Sequence, residues 1–271
     1  MSGEMASGRG TGEVLFQVEN LHVTYRRPGE KAVEAVRGVS FDLHAGETLG
    51  IVGESGSGKS TIAKALLLLL PVAGGTVRFR GQDITRFNAA ARSAYRRDVQ
   101  MVFQDAVGSL NPRMTIRQAL EEVRARQPEP GPGAEELLDR VGLSKAVLDQ
   151  YPRELSGGQC QRASFARALA VNPQVLVADE PVSALDVSVQ ARILNLMRDL
   201  RRELGLAILL IAHDLSVVRN VCDRVCVMHL GLFEDTGPAE EVFDHPQSDY
   251  TKNLLAAVPD VQRSLAARAQ Q

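Results

Sequence analysis

Three consecutive segments constrain this chain more than anything else in it: Thr48-Leu49-Gly50-Ile51-Val52, then Gly53-Glu54-Ser55-Gly56-Ser57-Gly58-Lys59-Ser60, then Thr61-Ile62-Ala63-Lys64-Ala65-Leu66. The first reads as a buried strand and the third as the opening of a helix. The middle one fits the pattern G-x-x-x-x-G-K-[ST]. A glycine-rich link between strand and helix lets backbone N–H groups turn inward around an anion, and the helix N-terminus adds partial positive charge there. In such a loop Lys59 reaches the β- and γ-phosphates of a nucleotide and the Ser60 hydroxyl binds Mg²⁺. Gly53, Glu54, Ser55, Gly56, Ser57, Gly58, Lys59, Ser60 and Thr61 are therefore candidate nucleotide-binding residues. A plain Gly/Ser connector would not require the strand and helix that flank this one.

The order of the remaining segments describes an α/β protein. Val14 to Phe41 alternates in polarity, with turn signals near Pro28-Gly29 and Arg37-Gly38, and is expected to form antiparallel strands. Gly74-Gly75 precedes another alternating run, Thr76 to Arg80, and Val99 to Phe103 is a short apolar strand ending at Gln104. From Arg113 to about Leu155 the periodicity becomes helical: Ile116, Ala119, Leu120 and Val123 share one face, and Leu137, Leu138 and Val141 another. Gln127 to Gly133, with three prolines, separates these helices. A helical subdomain inserted at about 106–158 is the expectation. Gly158 to Ala170 suits a helix, Val175 to Ala178 a buried parallel strand, Val187 to Leu204 a helix stopping near Gly205, and Ala207 to Ile211 another buried strand. Strands alternating with helices imply a parallel sheet covered on both faces.

With 271 residues, the chain can form one large α/β domain or two small ones. Hydrophobic residues at 44% and a net charge of -2 give no global basic footprint for nucleic acid. Arg92-Ser93-Ala94-Tyr95-Arg96-Arg97 reads as a solvated helix face. The longest apolar run, Ala65 to Leu70, is far below the about 20 residues a bilayer requires. Residues 1–13 are Gly/Ser-rich with no apolar core and read as a tail, not a signal peptide. Cys160, Cys222 and Cys226 do not complete a metal site and read as buried, reduced thiols.

Val175-Leu176-Val177-Ala178-Asp179-Glu180 is an apolar strand ending in two carboxylates, where open α/β sheets bind ligands. Asp179 is the candidate Mg²⁺ holder, and Glu180 the candidate base that polarises an attacking water.

Leu155-Ser156-Gly157-Gly158-Gln159, shortly before that strand, resembles the signature of ATP-binding-cassette (ABC) ATPases. Glycines and a serine at a helix N-terminus form a second anion-binding surface; read alone, Ser156 would be a simple helix cap. Other positions match the cassette pattern. Tyr25 resembles the aromatic residue that stacks on adenine, with a strand tyrosine in the core as the alternative. Gln104 resembles the glutamine that senses Mg²⁺ and the transport partner. Ser183-Ala184-Leu185-Asp186 resembles the loop crossing to the opposite subunit, and His213 the histidine at the γ-phosphate.

The resemblance runs from about Val14 to Pro259 and carries implications. The fold is a P-loop NTPase (RecA-like) core with an antiparallel β-subdomain and an inserted α-helical subdomain. Residues 14–245 form the ATPase domain and 246–271 a C-terminal extension. Glu180, His213 and Lys59 are the catalytic set. Tyr25, the phosphate loop, Gln104, Ser156, Gly157, Gly158 and Gln159 contact nucleotide, and Ser60, Gln104 and Asp179 hold Mg²⁺. Two cassettes face head to tail, each ATP lying between one chain's phosphate loop and the other's signature, so the partner is a second cassette, identical or related.

Ser109-Leu110-Asn111-Pro112-Arg113 after Gln104, Asp186-Val187-Ser188-Val189-Gln190, and the ending around Tyr250-Thr251-Lys252 resemble the dipeptide/oligopeptide/nickel importer group. That implies two membrane permease subunits, an extracytoplasmic binding protein, a peripheral position at the cytoplasmic face of the membrane, and no nucleic acid. Cys160, Val182 and Ser248-Asp249 depart from the group's usual residues, and the last weakens peptide transport specifically. A non-transport cassette working on DNA or ribosomes is the alternative; about 50 residues between Gln104 and Leu155 leave too little chain for a long coiled-coil arm. A P-loop GTPase lacks its Asn-Lys-x-Asp motif. Cargo is not written in this chain.

Overall fold

In the computed structural model, the apolar strands collect at the centre of one sheet. Residues 12–25, 32–128, 131–183 and 185–257 are described. The 1–11 part of the expected tail, the Pro28-Gly29 turn, 129–130 of the proline-rich break, Ala184, and 258–271 of the extension lie outside them.

Two long strands, β1 (Val14–Tyr25) and β2 (Val33–His44), pair antiparallel. The chain then enters β3 (Thr48–Val52), passes the glycine-rich loop, and forms α1 (Lys59–Leu66). β4 (Gly74–Phe79) and the short β5 (Gln82–Asp83) join the first sheet in the order β2-β1-β4-β5. Next come α2 (Ala89–Asp98) and β6 (Val99–Val102). The stretch expected to be helical holds α3 (Ala106–Ser109), α4 (Ile116–Ala125), α5 (Ala134–Arg140) and two 3₁₀ turns, Lys145–Asp149 and Pro152–Glu154. Then follow α6 (Gly157–Leu169), β7 (Val175–Asp179), α7 (Val187–Leu204), β8 (Ala207–Ala212), α8 (Leu215–Arg219), β9 (Arg224–His229), β10 (Leu232–Pro238), α9 (Ala239–Asp244) and α10 (Asp249–Ala256).

The second sheet has the order β10-β9-β3-β8-β7-β6; all neighbours are parallel except the antiparallel edge strand β10. Every residue of β3, β7 and β8 is buried, as strands covered on both faces must be. One core, around Phe16, Leu43, Ile51, Ile62 and Tyr95, lies between the two sheets, and α1 contacts β1, β2, β7 and β8 within it. The other core, around Phe165, Leu137, Leu176 and Met197, lies between the parallel sheet and helices α4 to α7. Among the described residues no helix is long and apolar enough to cross a membrane.

One local expectation needs correction. Arg37-Gly38 is not a turn. Both residues lie inside β2, and the pairing passes from Leu21↔Val39 to His22↔Arg37, skipping Gly38, whose φ is +95°. A glycine at positive φ absorbs the extra residue as a bulge and bends the strand without ending it. Past α1, which ends at Leu66, the apolar run turns, with Leu68 at φ +56°.

Candidate functional site

Strand β3 delivers the chain to a loop only glycine can build. Gly53, Gly56 and Gly58 have φ of +151°, +82° and +113°. A Cβ on Gly53 would stand 2.0 Å from the Met228 carbonyl oxygen, and one on Gly58 2.3 Å from that of Ala35. The loop is thus wedged against β9 and β2, and its turn is closed by Ser57 N–H donating to the Glu54 carbonyl at 3.2 Å. Lys59, the first residue of α1, is 4% exposed. Its Nζ donates to the carbonyls of Gly53 at 2.8 Å and Glu54 at 2.7 Å and reaches Ser57 Oγ at 3.5 Å. Burial pushes its pKa down; the nearby Glu180, Asp179 and Glu54 carboxylates push back.

Beside it, Ser60 Oγ donates to Asp179 Oδ1 at 2.8 Å, tying α1 to the end of β7. Burial raises the Asp179 pKa, the Ser60 hydrogen bond opposes this, and the Glu180 charge adds to it. Glu180 follows with φ +47°, and its N–H donates to the Ile211 carbonyl at 2.9 Å. A left-handed conformation at a residue bearing Cβ costs about 1–2 kcal/mol. Here it swings the carboxylate off the strand and into the site.

Glu180 Oε2 gathers two further groups. Gln104 Nε2, beyond the end of β6, donates to it at 3.1 Å, and His213 Nδ1, after β8, lies at 3.3 Å. Gln104 Nε2 also reaches Ser183 Oγ at 3.2 Å, which in turn donates to the Glu180 carbonyl. In the sequence Ser183 stands only as part of a loop; its three-residue offset from Glu180 is the signal that marks it. Tyr25 sits partly exposed at the end of β1, its hydroxyl 3.2 Å from Thr61 Oγ1. It is a rim residue, not a core tyrosine.

A cavity of about 380 Å³ is lined by Tyr25, Ser55, Gly56, Gly58, Lys59, Ser60, Thr61, Gln104 and Glu180. Its walls include an ammonium, backbone N–H groups at a helix N-terminus and the carboxylate of Glu180. That combination can hold a polyphosphate and place a base beside its end.

The stretch Ser156–Gln159 lies elsewhere. Ser156 caps α6: Gln159 N–H donates to Ser156 Oγ at 3.3 Å, and Ser156 N–H to Gln159 Oε1 at 2.9 Å. Gly157 lines a second cavity, of about 360 Å³, with Gln104, Val107, Gln161 and Leu185. Gly157 is exposed beside this cap while Gly158 is buried, and the second cavity shares only Gln104 with the lining of the Lys59 cavity.

Cys160, buried in α6, donates through Sγ to the Pro152 carbonyl at 3.3 Å, and Val182 is buried. Cys222 and Cys226 are buried and free. Burial pushes both thiols up, that of Cys226 to about 12.

The family model described as ABC transporter matches residues 36–183. The oligopeptide transport ATP-binding protein OppF of Lactococcus lactis subsp. lactis is 49% identical over 234 residues, covering 84% of this chain and 73% of OppF. The glutathione import ATP-binding protein GsiA of Escherichia coli is 48% identical over 259 residues, covering 92% of this chain and 42% of GsiA. Among solved structures, the dimeric ATP-binding cassette MJ0796 bound to ADP and Pi superposes with TM-score 0.74 at 29% identity, covering 83% of this chain and 99% of that one. CbiO1 from Clostridium perfringens, part of the transporter complex cbiONQ, gives TM-score 0.75 at 25% identity, covering 94% and 99%.

Proposed function

The chain belongs to the ABC transporter family, and from that membership we propose that it is the energising subunit of an importer for peptides, working as one half of a pair of cassettes. It binds ATP and is an ATPase of this family. Peptides are favoured as cargo because OppF and GsiA are named for oligopeptide and glutathione import, and glutathione is a tripeptide. Neither name points to nickel. Among the described residues, the observation that carries the catalytic reading is one cavity lined by Lys59, Ser60, Gln104 and Glu180, with Asp179 hydrogen-bonded to Ser60 and His213 at 3.3 Å from Glu180, both outside that lining.

In this reading residues 14–245 are the working ATPase domain, with the helical stretch at 106–158 inserted in it, and 246–271 an extension. The phosphates lie along the loop Gly53–Thr61, where backbone N–H groups and the Lys59 ammonium neutralise them. Tyr25 packs on the base. The oxygen donors of Ser60, Asp179 and Gln104 suit a hard cation that keeps much of its hydration, and Gln104, donating through Nε2, keeps its own amide oxygen free for one. These residues would hold Mg²⁺, which when bound supplies charge neutralisation at the β- and γ-phosphates. Glu180 accepts the proton of the attacking water. His213 holds that carboxylate from one side and Gln104 from the other, so the base is aimed before the nucleotide arrives.

The second cassette supplies Ser156, Gly157, Gly158 and Gln159 to the far side of the triphosphate. None of these four residues lines this chain's own Lys59 cavity, and MJ0796 is dimeric; both support this arrangement. Two permease subunits hold the pair at the cytoplasmic face of the membrane, and an extracytoplasmic binding protein delivers cargo to them. Uptake of labelled oligopeptides by cells lacking this subunit tests the cargo. Loss of uptake, restored by the wild-type chain and not by Glu180→Gln, is expected. Undiminished uptake in the deletion would refute peptide import.

A further inference from the structure

Helix α10 lies 196 residues from the phosphate loop in sequence, yet it touches that loop: Glu54 N–H donates to the Tyr250 hydroxyl at 3.3 Å. The same peptide group offers its carbonyl, that of Gly53, to Lys59 Nζ at 2.8 Å. One peptide plane is therefore held on its N–H side by the extension and on its C=O side by the ammonium that meets phosphate. We propose that Tyr250 is a positioning residue of the phosphate loop, fixing the Gly53–Glu54 peptide and through it Lys59.

The tyrosine is itself well anchored. Its ring stacks on His229 with centroids 4.0 Å apart and planes 13° from parallel. His229 Nδ1 lies 3.6 Å from Glu234 Oε1 across the β9–β10 hairpin. The start of α10 is fastened to β10 by Ser248 N–H donating to Asp235 Oδ2 at 3.0 Å, and Ser248 Oγ caps the helix at Thr251 N–H, also 3.0 Å. Thr251 is 1% exposed.

The hairpin braces the other end of the same turn, Gly231 N–H donating to the Ser57 carbonyl at 2.9 Å. Glu54 and Ser57, the two ends of the loop's closing turn, are thus held by one unit made of the hairpin and α10. A peptide next to a glycine at φ +151° has few intrinsic restraints, so an external hydrogen bond decides its orientation.

Tyr250→Phe removes one oxygen and keeps the ring stack. A neutral hydrogen bond of ordinary strength corresponds to about a 2- to 10-fold change in an equilibrium constant. The full chain carrying Tyr250→Phe is expected to bind Mg·ATP about 2- to 10-fold more weakly. Assembled with its transporter subunits, it is expected to show a KM for ATP raised in the same proportion and kcat within about twofold of wild type. Tyr250→Ala, which also loses the stack, is expected to lose more affinity than Phe. In the wild-type chain the Glu54 amide is expected to be protected from hydrogen exchange, a measurement that needs no variant to fold.

Unchanged affinity and KM in Tyr250→Phe would overturn the assignment, as would an unprotected Glu54 amide in the wild type. A fall in kcat at constant KM would do the same. The inference rests on ATP being the ligand of this loop. Failure of the wild-type chain to bind Mg·ATP would refute that reading, whereas a wild-type chain that binds and a Tyr250→Phe chain that binds equally well would refute only the role of Tyr250.

Discussion

Replacing Glu180 by glutamine separates chemistry from architecture at this site. Both neighbours of the carboxylate, Gln104 Nε2 at 3.1 Å and His213 Nδ1 at 3.3 Å, converge on the single oxygen Oε2. An amide oxygen placed there can accept from both, with the new NH₂ taking the place of Oε1. The shape and the contacts survive; the negative charge and the proton affinity do not. Loss of a general base costs about 10²- to 10⁴-fold in rate, which is about 2.7–5.4 kcal/mol in the barrier. The expected result is a fall in kcat of that size with ATP affinity within a few-fold of wild type. Phosphate release by the assembled transporter and ATP titration by calorimetry read the two quantities separately. Turnover within a few-fold of wild type would remove Glu180 from the role of base. Loss of binding together with turnover would mean that the carboxylate holds the site together instead.

Three further outcomes are expected. Gly50→Ala sets a Cβ 2.7 Å from Val218 Cγ1 and 2.9 Å from Cys222 Sγ at the centre of the parallel sheet; overpacking of this kind costs about 1–3 kcal/mol, so denaturant unfolding should show a lowered midpoint, and an unchanged one would contradict the packing. Cys160→Ser keeps a donor for the Pro152 carbonyl and alters no group at the cavity, so ATPase activity should stay within a few-fold of wild type; collapse of activity would show that the thiol matters to the site. Burial raises the folded-state pKa of both Cys222 and Cys226 above the ordinary value of 9.0, so above that pH the unfolded chain sheds thiol protons that the folded chain keeps. The stability these thiols contribute is present below pH 9 and is lost as pH climbs toward about 12, and chemical denaturation at pH 8 and 10, compared with a Cys222→Ala/Cys226→Ala chain, measures it.

Much of the fold was legible because local pattern and tertiary role coincide. Val187–Leu204 is apolar at helical spacing, begins at an Asp186 cap that accepts from Val189 N–H, and ends on Gly205 at φ +66°, so start, face and stop are all in the sequence. The apolar runs Val175–Ala178 and Ala207–Ala212 announce burial in the same way. The hairpin of β9 and β10 was missed for a physical reason. Its turn uses positive φ at Leu230, +45°, followed by Gly231, +86°, and leucine in the first place hides the Asn-Gly or Asp-Gly signal such turns give. Gly38 misled in the opposite direction, because a glycine inside a strand marks a bulge as readily as a turn.

At the site, residue types and spacing pointed to Lys59, Ser60, Asp179 and Glu180 as candidates, and the family resemblance to Gln104 and His213; the structure places these side chains near one another. No local pattern could show that Gln104 reaches Ser183, or that Tyr250 lies on Glu54, since those contacts exist only after the sheet has assembled.

Hydrolysis at a shared seam requires the signature stretch of the neighbouring cassette to stand on the nucleotide when ATP is bound. The structure of the assembled transporter carrying Glu180→Gln and loaded with Mg·ATP measures this directly. The result in keeping with the account has one chain's Lys59 on the triphosphate and the facing cassette's counterpart of Ser156 within hydrogen-bonding distance of its terminal phosphate. Nucleotide held by this chain alone, with the facing signature stretch remote from it, would contradict the account.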